Sequence, residues 1–399
     1  QPLYRPLWPG GCPGTGILRL LSARILALAA PKEGRTLKRT LGLVLALLCL
    51  LVPGGCKKDA APPYILPVSV TRNHLRITVD PRVELVSIIQ YLSSYRKLMT
   101  TADFAYRAEV DRHFAKHRGH EAVAMYEEMV ETGFRFSSPA NFALSLTDGL
   151  YLDESVLLGD HVLWGGGGRE QLVNFCRALR DFSLKSKFSD FYAAHEDYYR
   201  ENIYRVAELL GDWDYVGELQ DYFGLKYRSF SIIPVSLYGG GGGFGPHVER
   251  ADSVDAYCVL IPFDSETQGN IPMYGTKSVF KLLLRHEFSH SFVNRVTDMY
   301  KEEAMKHQAL LNPIQAEMDA LEYGSWLTCL NEHLVRAVTT RLAWADSQAE
   351  GRKALAREVE AGFAYTEILV EALKEYEKKR AQYPDFISFY PRLLEALGQ

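Results

Sequence analysis

The chain has 399 residues, 47% hydrophobic and 24% charged, which is enough apolar material for a substantial packed core and too much for global disorder. Six cysteines are too few to scaffold a chain of this length with disulfides. The net charge of −4 hides a division: residues 1–56 carry seven Lys/Arg against the single acid Glu33, leaving residues 57–399 at −10, a body that repels phosphate backbones and argues against nucleic acid as a partner.

At the start, Lys38 and Arg39 precede the apolar run from Leu41 to Val52, and small residues then lead to Cys56, the order of a secretory signal. That run of twelve residues is shorter than the ~20 needed to cross a bilayer as a helix. The segment VPGGC followed by Lys57 and Lys58 resembles a bacterial lipoprotein signal, with Cys56 as the lipidated residue. Pro53 stands where that pattern prefers Leu, so ordinary cleavage and full secretion stay open. Residues 1–36 have no initiating Met and almost no acids; they read as a non-native, over-extended segment ahead of a true start near Leu37. Residues 37–56 then form the signal peptide and 57–63 a linker, with an Ala/Pro stretch from Ala60 to Pro63.

In the body, Tyr64 to Asp80 is rich in Ile, Val, Leu and Thr with turn residues at Asn73 and Asp80-Pro81, which predicts a strand pair. Helical spacing follows at Val83, Val86, Ile89 and Leu92 and again from Asp103 to Glu131. Glu170 to Leu210 is helical too, with Phe175, Phe182, Phe191, Tyr192, Tyr199 and Tyr204 spaced for core packing. Gly165 to Gly168 reads as a flexible connection, and Gly239 to Gly243 as a hairpin or wide loop between two β-rich runs, Ser231 to Tyr238 and Asp255 to Pro262. Because glycine lets backbone approach a ligand, Gly241, Gly242 and Gly243 are candidates for a substrate rim; a bland loop is the alternative. After Ser278 the chain is helical nearly to its end, with breaks near Asn312-Pro313, at Gly324 and from Asp346 to Gly351. The body thus reads as one α+β domain.

Within the helical part, LLRHEFSHSF contains His286, Glu287 and His290 as HExxH. Residues four apart share a helix face, so both imidazoles can reach one metal ion, while Glu287, about 100° round the axis, can address a water without ligating. The apolar flanks Leu284, Phe288 and Phe292 suit a buried helix with only these polar side chains turned to a cleft. Two controls lack the pattern: His195-Glu196 has Tyr199 where the second His belongs, and His113, His117 and His120 lie among charges, as on a solvated face.

Zinc needs a third protein ligand. Glu332 leads because it sits in the otherwise apolar helix WLTCLNEHLVRAV, where an unpaired carboxylate is costly; Glu317, Asp319 and Glu322 remain rivals, and an ion pair with Arg336 is the alternative for Glu332 itself. Asn294, one turn past His290, is a candidate to orient a ligand. His333 is either a packed or exposed helix histidine or a transition-state donor, and Tyr274, Tyr323 and His247 are candidate oxyanion donors.

HEFSHSFVN followed by a helix with NEHLVRA resembles an uncharacterised family of zincin-like bacterial envelope proteins, a domain of unknown function related in motif logic to gluzincin metallopeptidases. The similarity runs from about residue 64 to the C-terminus and includes GGGGGFGP and EYEKKRAQYPDFISFYP. It implies a zincin-like metallopeptidase fold for residues 64–399, mainly helical with a small mixed or antiparallel sheet. It also implies Zn2+ held by His286, His290 and Glu332, with Glu287 as general base. The expected function is peptide-bond hydrolysis by a zinc-activated water on a peptide or protein substrate, in the cell envelope, either lipid-anchored through Cys56 at the outer membrane or periplasmic face or secreted. A scaffolding lipoprotein with a structural zinc site and a zinc hydrolase of a non-peptide amide are the alternatives. Arg336 stands where several gluzincins have an Asp four residues after the ligand Glu, which leaves the surroundings of the ligand open.

Overall fold

In the computed structural model the chain divides into two units, residues 1–58 and 59–399. Residues 60–268 and 270–398 are described. The segment expected to be over-extended, the expected signal peptide with lipidation at Cys56, and residues 57–59 of the expected linker lie outside them. Among the described residues no helix is long and apolar enough to cross a membrane.

The body is α+β and mainly helical. Strands β1 (Val68–Arg72) and β2 (Leu75–Val79) form the expected antiparallel pair. Their turn falls at Asn73-His74, both with positive φ, a conformation Asn tolerates well. Asp80-Pro81 starts a helix rather than serving as a turn: the Asp80 side chain accepts from Arg82 N at 2.9 Å and Pro81 occupies the first helical position of α1 (Pro81–Leu92).

Helices α2 (Ala105–Phe114), α3 (Glu121–Glu131) and α4 (Ser137–Leu144) follow, then the short β3 (Val156–Leu157) and α5 (Asp160–Gly165). Next come α6 (Arg169–Ser186), α7 (Phe188–Ala194), α8 (Glu196–Leu210) and α9 (Tyr215–Phe223). The expected aromatic core exists, except that Tyr204 is 52% exposed, on the outer face of α8. The Gly165–Gly168 link is a tight helix-to-helix turn, not a loose one: a side chain at Gly166 would overlap Leu172, and Gly168, at φ +90, leads into α6. The histidines expected on a solvated face are instead wedged between helices. His113 packs on the neighbouring Phe114 and on Phe191, and His117 and His120 meet Phe182 edge-on; Phe182 and Phe191 lie far along the chain.

The remaining strands are β4 (Ser229–Pro234), β5 (Gly242–Phe244), β6 (His247–Arg250), β7 (Val254–Ile261), β8 (Phe263–Gln268) and β9 (Ile271–Met273). The main sheet runs β1-β2-β4-β7-β6-β3 and is mixed: β4 is parallel to β2 and β7, the others antiparallel. Buried on both faces, β4 and β7 carry the near-continuous apolar runs that parallel central strands require. The glycine segment joins this sheet, with β5 pairing antiparallel to the C-terminal half of β7 and β6 to its N-terminal half.

Beyond the β8-β9 ribbon, α10 (Lys277–Met299) starts at Thr276, whose hydroxyl accepts from Val279 N. Its buried stripe, Phe280, Leu284, Phe288 and Phe292, lies against the sheet and α9: Phe288 meets Phe230 edge-on, and Phe292 stacks between Tyr227 and Phe223 at 4.3 and 4.4 Å. The short α11 (Lys301–Met305) and α12 (Gln315–Ala320) lead to α13 (Trp326–Asp346), then α14 (Gln348–Glu360), α15 (Thr366–Lys378) and α16 (Phe386–Leu397). The break expected over Asp346 to Gly351 narrows to Ser347. Gly351 lies within α14, where a side chain would overlap Trp344.

Candidate metal centre

α10 and α13 pack side by side, and the polar positions of α10 face the one carboxylate of α13's buried face. His286 Nε2 and His290 Nε2 are 3.2 Å apart. Glu332 Oε1 lies 3.2 Å from His290 Nε2 and Oε2 lies 3.7 Å from His286 Nε2. The three ligand atoms are within 4.8 Å of one another, the only group of this kind among the described residues. His290 Nδ1 is 3.2 Å from Asn294 Oδ1, which can only accept, so Nδ1 carries a hydrogen and Nε2 is the atom left to face a metal once the ring is neutral. Two imidazole nitrogens and a carboxylate oxygen converging from two helices fit a Zn2+ ion, which takes these donors in four-coordinate sites with one place left over.

Electrostatics tie the three together. Burial pushes the His286 imidazole down. Burial also opposes charge on His290, but the Glu332 carboxylate outweighs it and raises that ring. Glu332 pays desolvation yet is held well below the usual carboxylate range by His290, His286 and Arg336. Beside them Glu287, 5% exposed, is pushed up to about 7 by burial, with His290 pulling the other way.

The glycine segment roofs Glu287. A side chain at Gly243 would stand 2.9 Å from Glu287 Cγ, and one at Gly245 would overlap the Glu287 carbonyl oxygen. Ser291 Oγ donates to Pro246 O at 3.2 Å and fastens this backbone to α10. Of the three rim glycines, Gly243 borders Glu287, Gly241 lies under the Phe263 ring at φ +76, and Gly242, at φ +107, has an open side.

The other candidates are distributed more widely. Glu317, Asp319 and Glu322 are exposed; Asp319 accepts from Gln315 and Glu322 pairs with Lys97. Tyr323 approaches Arg336, and burial pushes its phenol up to about 12. Tyr274 spends its hydroxyl on Asn202 Oδ1 at 3.0 Å in the core. His247 is pushed down to about 4 by burial and lies near His161 and Arg295. His333 donates Nδ1–H to the Cys329 carbonyl at 2.8 Å and packs against Phe363 and Tyr365, which makes it a core histidine.

Two groups escaped sequence reasoning. Arg285, next to His286, is wholly buried and pairs with Glu218 on α9 and with Asp346 at the end of α13, joining three helices. Glu358, on α14, accepts from both Arg336 and Arg357. Arg285 was visible as a charge inside an apolar stretch; nothing in the charged sequence of α14 marks Glu358.

A family model described as a domain of unknown function (DUF4932) matches residues 75–396, and the chain belongs to that family. No curated protein and no solved structure matches it.

Proposed function

We propose that this DUF4932 protein is a zinc-dependent metallopeptidase with a zincin-like fold, working in the bacterial cell envelope as a lipoprotein anchored through Cys56. The observation that carries the reading is the meeting of His286, His290 and Glu332 with Glu287 buried beside them. When bound, zinc supplies Lewis acidity, lowering the pKa of water from ~15.7 toward ~7 and polarising a carbonyl.

The chain supplies the rest. Burial strengthens the hold of the Glu287 carboxyl on a proton, which suits a group that takes one from water and returns it to the leaving amine. Asn294 fixes the tautomer and tilt of His290 through Nδ1–H. Tyr323, a phenol whose hydroxyl approaches Arg336 beside Glu332, is the candidate donor to the oxyanion of the tetrahedral state. Among the described strands β5 pairs with β7 alone, so its other edge is available for an extended peptide added as a further strand, with Gly243 allowing that backbone close to Glu287.

The Glu287→Gln protein tests this. It should bind one equivalent of zinc as wild type does, while hydrolysis of a peptide library falls at least ~100-fold, as expected for loss of a general base. Zinc bound equally by both, with no turnover by wild type on peptides or other amides, would reject catalysis and leave a structural zinc site in a scaffolding protein.

A further inference from the structure

Glu332 does not face the two histidines alone. Arg336, one turn further along α13, places Nε 3.2 Å from Glu332 Oε2, and its Nη1 donates to Glu358 Oε2 at 2.6 Å. Its guanidinium also lies over the Phe363 ring, 3.7 Å from the centroid. Glu358 is 3% exposed, and its other oxygen, Oε1, accepts from Arg357 Nε at 3.0 Å and Nη2 at 2.6 Å. Arg336 is thus held on one face by an aromatic ring and at one end by a carboxylate whose two oxygens are both engaged. Such a guanidinium is pre-organised, and its planar fork cannot swing away without leaving Glu358 buried and short of a partner.

A carboxylate can offer a metal one oxygen or two. Here the oxygen nearer His290, Oε1, has no arginine on it, whereas Oε2 is engaged by Arg336. We infer that Arg336, anchored by Glu358, is a positioning residue that restricts Glu332 to single-oxygen ligation by occupying Oε2. A four-coordinate ion then keeps one place for chemistry. Without Arg336, both oxygens of Glu332 would be free to close on the ion and take up that place. The usual way to orient a metal-bound carboxylate is through hydrogen bonds from neighbouring groups; in this chain the neighbour is a cation on the same helix, anchored by a carboxylate of a third helix, α14. Arg357, half exposed, completes the relay by engaging Oε1 of Glu358.

The inference rests on the metal-site reading above, and the test separates the two. Full-length wild type, Arg336→Met and Glu358→Gln are loaded with Co2+ in place of zinc, and both the visible absorption spectrum and the Co2+ affinity, by competition with a chelator, are measured. Wild type should give the intense bands of four-coordinate cobalt. Arg336→Met should give the weaker bands of higher coordination, with affinity changed by about 10- to 100-fold, the usual effect of removing a partner of a metal ligand. Glu358→Gln, which leaves Arg336 in place but loosens its anchor, should shift the spectrum in the same direction by less, and it serves as the readout should Arg336→Met fail to fold. A wild-type spectrum retained in the folded variants overturns the positioning role while leaving the metal site standing. A wild-type chain that takes up no Co2+ overturns both.

Discussion

Replacing Gly245 with alanine measures how closely the glycine segment is seated on the HExxH helix. The added methyl would overlap the Glu287 carbonyl oxygen and stand 2.8 Å from both the Glu287 carbonyl carbon and His290 Cβ, where carbon pairs prefer about 3.5–4.0 Å. Strand or helix must therefore retreat by about 1 Å, and neither is free: β5 is paired to β7, and Pro246 O holds Ser291. Overpacking of this kind costs about 1–3 kcal/mol, here toward the upper end because backbone meets backbone. The same displacement moves Glu287, and a 1 Å error in a reacting group can cost about 100-fold in rate. Gly119→Ala, with nothing within 4 Å, is the control and should change stability by less than about 0.5 kcal/mol. Urea unfolding and peptide hydrolysis of both variants are the assays. Gly245→Ala as stable and as active as Gly119→Ala would mean that β5 does not rest on Glu287, and the strand-addition mode of substrate binding would lose its basis.

Arg285→Met removes a wholly buried guanidinium from Glu218 and Asp346; since those carboxylates keep some solvent contact, the loss should be about 3 kcal/mol, the low end for breaking a buried ion pair. A loss under about 1 kcal/mol in urea unfolding would show that the triad does not hold the three helices together. Glu84, deep in the core, is pushed by burial up to about 7 from its ordinary 4.5, against the hydrogen bond from Tyr106. Between those values the folded protein keeps a proton that the unfolded chain has released. Stability should therefore fall by about 3 kcal/mol as pH rises from about 4.5 through 7. Glu84→Gln should remove Glu84's share of the slope between pH 5 and 8, leaving the part that Glu287 contributes; an unchanged slope would place the titration elsewhere.

How much of this was readable in advance follows from the range of the interactions. His286, Glu287 and His290 stand out because their geometry is that of one helix and needs no tertiary knowledge. Glu332 stood out because a lone acid in an apolar helix announces a buried partner, although the sequence did not say which one. The Arg285 triad depends on Glu218, 67 residues away, and Asp346, 61 away, and the role of Gly245 depends on which helix comes to lie over it. His113, His117 and His120 were misplaced for the same reason: charged neighbours in sequence suggested solvent, while the rings that enclose them come from α6 and α7. Local signals marked the residues of the candidate site; the supports around it are long-range.

Most direct is an anomalous diffraction map, collected on either side of the zinc absorption edge from crystals of the wild-type protein grown with zinc. The account predicts one peak at about 2.0–2.2 Å from His286 Nε2, His290 Nε2 and a single oxygen of Glu332. A zinc-replete crystal with no peak there, or with its peak at other side chains, would contradict it.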